Sequence, residues 1–83
     1  MPYSQDLLDE LNILNQFSLD TTQSGIKVHH TAAPASIAAT ARLFDKGLIT
    51  QNDGGYLTLL GREAREHSES LLLILTTESR QPI

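Results

Sequence analysis

The chain has no cysteine and no tryptophan, and among its 83 residues only two tyrosines, two phenylalanines and one methionine. Without a thiol, a disulfide framework, a cysteine metal centre and thiol-based redox or nucleophilic chemistry are all excluded. Long apolar runs are also missing. The longest, Leu71 to Leu75, falls far short of the ~18 residues of a membrane span. Met1 to Asp6 has neither the basic nor the apolar region of a signal peptide. These absences set the expectation of a cytoplasmic chain with no membrane partner. Basic charge is scarce as well: six Lys and Arg stand against ten Asp and Glu, a net charge of −4. The first 25 residues hold Asp6, Asp9, Glu10 and Asp20 with no Lys or Arg. DNA binding draws on phosphate neutralisation, and this chain has no strong basic footprint for it.

What is present fits one small domain over residues 1–83, with a frayed tail at 76–83. A chain of this length buries only ~60–65% of its unfolded surface, so self-association is a cheap source of stability. A first helix is expected from about Gln5 to Phe17, capped by Ser4, with Leu7, Leu11 and Leu14 as its inner stripe and Leu8 and Phe17 widening it. Ile13 points partly away from that stripe. Residues Ser18 to Gly25 read as a loop or one short helical turn. Ile26 to His29 alternates as a short strand. A second helix follows to about Lys46, capped by Thr31, with Ile37, Ala41 and Phe44 inward, Ala35, Ala39, Arg42 and Lys46 outward, and Gly47 as a left-handed stop. Leu48–Thr50 and Tyr56–Thr58 flank Asn52-Asp53-Gly54-Gly55 as a β-hairpin whose Asp-Gly turn takes positive φ. Thr58 caps a third helix reaching about Thr76, with Leu60, Ala64, His67, Leu71 and Ile74 inward. The fold class is therefore mainly α with a small β-hairpin.

The order of helix, Lys46-Gly47-Leu48-Ile49, tight hairpin, Tyr56-Leu57-Thr58 and a Leu60-Gly61 helix resembles the winged helix-turn-helix of bacterial regulators. With Gly25–His29 and Ile37–Thr40 included, the chain is also similar to a small bacterial family described as DNA-binding proteins on the strength of that winged-helix look. The resemblance implies that the second helix is the recognition helix, the hairpin is the wing, and the molecule is a DNA-binding transcriptional regulator. The sequence departs from the pattern in two places. Only Ser18 to Ser24 is left for a separate helix before the recognition helix, and the wing tip carries Asp53 where a phosphate-gripping wing carries Arg or Lys.

Four basic residues are the candidates for nucleic-acid contact: Lys27, Arg42, Lys46 and Arg62. Arg42 is placed to read a guanine, and Lys46 to hold a phosphate. His29 and His30 are adjacent on a strand and so face opposite ways, which does not suit a shared ion. His67 reads as a hydrogen-bonded core or interface histidine. No phosphate loop, nucleophile elbow or paired-carboxylate signature is present, so an enzyme is not expected and no cofactor is called for. Leu71 to Leu75, apolar on every side of a helix, points to a homodimer interface through Leu72 and Leu73 with Ile13 as neighbour. The expected function is a DNA-binding regulator acting on double-stranded DNA as a homodimer. The alternative is a protein–protein interaction module that keeps the winged-helix-like scaffold and binds an unknown protein.

Overall fold

Ser4 opens α1 (Gln5–Leu14), its hydroxyl accepting the Leu7 N–H at 3.2 Å, with Asp6 in the dipole-favoured first turn. The computed structural model of the chain describes residues 2–20 and 24–77. After α1 come β1 (Ile26–Lys27), α2 (Pro34–Asp45), β2 (Ile49–Gln51), β3 (Gly54–Leu57) and α3 (Leu59–Thr76). The strands form one antiparallel sheet in the order β1-β3-β2. The architecture is mainly α with a small hairpin, as expected, and β1 adds a third strand to it.

Several local signals act where they stand in the sequence. Gly47 takes φ 80° and ends α2, and Pro34 sits in the first turn of that helix. Thr58 does two things at once: its hydroxyl accepts the Gly61 N–H at 3.0 Å and donates to the Gly47 carbonyl at 2.6 Å. The start of α3 is thereby tied to the end of α2. Boundaries shift elsewhere. Helix α1 ends at Leu14, β1 stops at Lys27, and the N-cap of α2 is Ala33, with no side-chain cap, rather than Thr31. Residues 18–20 and 24–25 are not helical, and residues 21–23 of that proposed turn, like most of the proposed tail, lie outside the described residues. In the hairpin, positive φ falls on Gly54 (133°) and Gly55 (76°), not on Asp53. A bulge between Ile49 and Gln51 absorbs the difference in register.

The core consists of Ile13 and Phe17 from α1 and its exit, Ala39 and Leu43 from α2, and Ile49 from β2. Ile26, Val28, Leu48 and Leu57 pack against it from the sheet side. All three helices are turned relative to their apolar stripes. In α2 the buried residues are Ala39, Thr40 and Leu43, while Ile37 and Phe44 are exposed. Small side chains let α2 approach α1, and the Thr40 hydroxyl is satisfied by the Ser36 carbonyl at 2.7 Å. In α1 the buried residues are Glu10, Ile13 and Leu14, and Leu7 and Leu8 are exposed. In α3 they are Gly61 and Arg65, and Leu60 and His67 face solvent.

Gly61 fixes how α3 meets the hairpin. A Cβ at this position would lie 1.8 Å from the Leu48 carbonyl oxygen, which accepts the Thr58 N–H at 3.0 Å. Backbone on both sides of the contact leaves no flexible side chain to give way. Gly61→Ala is therefore expected to destabilise the fold by about 1–3 kcal/mol despite the gain in helix propensity. Thermal unfolding should show the melting point falling by roughly 4–8 °C for each kcal/mol lost.

Candidate functional site

The four candidate DNA contacts lie in three different parts of the molecule. Lys27 faces Asp53 at the hairpin tip, 3.9 Å away. Arg42 and Lys46, one turn apart on α2, both reach across to Glu10 of α1. Arg42 Nε donates to one carboxylate oxygen at 2.7 Å, and Lys46 Nζ donates to the other. Arg42 Nη2 also donates to the Asp6 carbonyl at 3.2 Å. Arg62 donates to the Leu19 carbonyl at 2.8 Å and lies 3.8 Å from Glu66. Among the described residues, every Lys and Arg has a carboxylate oxygen within 4.0 Å. The outward cationic face expected of α2 is corrected accordingly. Ala39 of that face is fully buried, and its two cations are turned onto α1 because Glu10, only 5% exposed, needs both of them.

Glu10 is a carboxylate placed where burial alone would push its pKa up. The hydrogen bonds from Lys46 and Arg42, with their charges, overcome that desolvation and hold it below its ordinary 4.5. The same hydrogen bond raises Arg42 further. A second polar seam joins α3 to the exit of α1. Arg65, itself buried, donates from Nε to the Phe17 carbonyl at 2.9 Å and from Nη1 to Glu69 at 2.7 Å. Ser68 donates to the Asn15 side-chain oxygen at 2.8 Å.

The predicted interface residues divide. Leu72 and Leu73 are exposed, as expected of an interface. Ile13 is not available: it is 4% exposed and belongs to the core, because α1 turns it, and not Leu7 or Leu8, towards α2 and β2. The residues that stand beside Leu72 instead are Tyr3, Leu8 and Leu11. With Leu71, Leu75, Asn12, Asn15 and Ser68, they line an open groove of about 530 Å³ between α1 and α3. None of these side chains is charged. Beyond the groove, Leu73 (57%) and Ile74 (72%) stand on other sides of the same helix end. The leucines of α1 carried the signal for this surface in the sequence, but the apolar stripe reading assigned them to the core.

Other sites are less built. His29 and His30 are exposed and, with Lys27, Ile37, Ala41, Asn52 and Asp53, line a cleft of about 510 Å³ between α2 and the hairpin tip. Among the described residues, no group of three or more His, Asp or Glu is placed to hold a metal ion. No helix among them is long and apolar enough to cross a membrane. Residues 1–76 match one protein-family model, described as a family of unknown function (DUF5669). Neither the curated proteins nor the solved structures contain a match.

The Glu10 clamp gives a signed pH dependence. Since its carboxyl is lowered in the fold, its contribution is complete above about 4.5 and is lost as the pH falls through the lowered value. Glu10→Gln should cost about 1–3 kcal/mol at pH 7, the scale of hydrogen bonds to charged groups. In urea unfolding the gap between wild type and variant should close as the pH drops below 4.5. A gap that stays constant with pH would show that the carboxylate charge is not what the clamp uses.

Proposed function

We propose that this chain, which belongs to that family of unknown function, is a non-enzymatic protein–protein interaction module on a winged-helix-like scaffold, working in the cytoplasm. The observation that carries the reading is a contrast between two surfaces. Arg42 and Lys46, the cations a recognition helix would present, are turned onto Glu10 of α1, and Arg62 is held by the Leu19 carbonyl. The α1/α3 groove and the end of α3 around it, by contrast, leave Tyr3, Leu8 and Leu71 to Leu75 uncovered. Exposed apolar patches of this extent mark interaction sites. The element order, with β1 before α2, the hairpin directly after it and the sheet order β1-β3-β2, supports the scaffold.

The DNA-binding regulator is the second reading. It is favoured by the position of α2, which runs straight into the hairpin and flanks the cleft holding Lys27, His29, His30 and Asn52. To grip phosphate on that reading, Arg42 and Lys46 must leave Glu10 and strand a buried carboxylate, which costs several kcal/mol in a low-dielectric setting. A titration of labelled mixed genomic fragments separates the two. The interaction module shows no saturable binding even at ~50 mM salt, where contacts to several phosphates are still strong. Tight binding that weakens with a log–log salt slope of several, up to about −7 for four cations in each of two protomers, would replace it with the regulator. Arg42→Ala would then also relax sequence preference.

A further inference from the structure

We propose that the partner on the α1/α3 face is a second copy of this chain, so that α1 and α3 of two protomers pack as a four-helix bundle about a two-fold axis. The inference rests on the interaction reading and names its partner. Its first support is area. At ~200 Å² for a fully exposed large side chain, Tyr3, Leu8, Leu71, Leu72 and Leu75 on the groove side expose roughly 500 Å² per protomer, and Leu73 and Ile74 on the other sides of the helix end add roughly 250 Å². The total exceeds the few hundred Å² usual on a soluble monomer, and the groove side alone supplies more than half of the ~800 Å² per partner of a standard interface.

The shape of the face narrows the occupant. A small apolar ligand could fill the groove between Leu8, Leu11, Leu72 and Leu75, but it would leave Leu73 and Ile74 in water. The stretch Glu78 to Ile83 contains only Pro82 and Ile83 as apolar side chains. A second copy supplies what is missing. The same helix end carries both a groove and an apolar ridge beyond it, and a two-fold axis lets each ridge meet the other protomer's groove, as an isologous interface requires. Helices that leave apolar side chains uncovered pack as bundles around them.

Charge agrees with this choice. Each copy carries a net −4, concentrated in its first 25 residues, but Asp6 and Glu10 of α1 are paired with Arg42 and Lys46 of α2 and do not line the groove. The groove is lined by uncharged side chains alone. It is the face on which two acidic chains can meet without burying like charges.

Sedimentation equilibrium of the full chain across roughly 1–100 μM tests the proposal. Expected are a species of twice 9.1 kDa and a dissociation constant that rises at least ~100-fold in the double variant Leu72→Gln, Leu75→Gln, which removes two buried leucines per protomer. Leu59→Gln with Leu60→Gln, at the opposite end of α3, should leave the dimer intact. Circular dichroism shows which variants keep their helices. Because the chain has no cysteine, the double variant Leu8→Cys, Leu73→Cys gives a reading that does not depend on the glutamine variants folding: groove and ridge cysteines of two protomers should form an intermolecular disulfide on oxidation, and Leu8→Cys with Leu59→Cys should not. A wild-type chain that stays monomeric at 100 μM overturns the second copy while leaving the interaction reading to a different protein. A dimer linked only in the variant Leu8→Cys, Leu59→Cys also overturns it, by placing the interface elsewhere. The interaction reading itself falls only in the DNA titration.

Discussion

The carboxylate of Glu10 sits between two cations of α2, and the rotation of α1, with the face it leaves exposed, follows from that arrangement. Each oxygen takes one charged donor, Arg42 on one side and Lys46 on the other. Charge-assisted bonds of this kind are roughly twice as strong as neutral ones, and two of them offset the cost of burying one carboxylate. Position 10 also fixes the rotation of α1. With Glu10 turned towards α2, Ile13, Leu14 and Phe17 are brought into the core by helical spacing. Leu7, Leu8 and Leu11 are carried to the opposite flank. The pairing sets the core and the exposed apolar face together.

The third helix is attached in a different manner, and the groove follows from the difference. Arg62, Arg65 and Ser68 bind the exit of α1 through the carbonyls of Leu19 and Phe17 and the side chain of Asn15. Long guanidinium stems reaching to backbone carbonyls space α3 away from α1, and the two helices are not close-packed as α1 and α2 are. The seam ends at Ser68. Beyond it α3 continues for two turns with only the open groove between it and α1, and every residue from Leu71 to Thr77 is exposed. The long dimension of the molecule, 47 Å against 29 and 21 Å, is consistent with a helix of about 27 Å that runs past its support.

Signals that act within a few residues were legible from the sequence. The Ser4 and Thr58 caps, the left-handed Gly47 stop and the hairpin beside it depend on a side chain or backbone group next to them. Helix phase was not legible, and in all three helices for one reason. The inward positions include Glu10, Thr40 and Arg65, which an apolar stripe reading sends to the surface. Two of these find their partners far along the chain: Glu10 meets Arg42 32 residues away, and Arg65 meets the Phe17 carbonyl 48 residues away. Ile13, set apart from the leucine stripe, is core, whereas Leu8 and Leu11 of that stripe line the groove. One pattern did hold the answer. Asp6 and Glu10 are four apart on a helix without cations, and Arg42 and Lys46 are four apart on a later one. Two matched stripes of opposite charge describe a contact between helices better than they describe a binding face.

That pairing also bears on what the scaffold can do. A recognition helix works by holding its cations in reserve for phosphate and base edges. Here the two cations of α2 are committed to a carboxylate that is nearly out of water, so withdrawing them exposes the fold to an unpaired buried charge. The helix is thus held in place by the groups a DNA reader would need free. The apolar end of α3 has no such internal commitment. Burying it costs the fold none of the hydrogen bonds that hold it together, since the Arg62, Arg65 and Ser68 seam lies N-terminal to it. Electrostatics close one face of this small molecule and leave the other, the leucines at the end of α3, uncovered among the described residues.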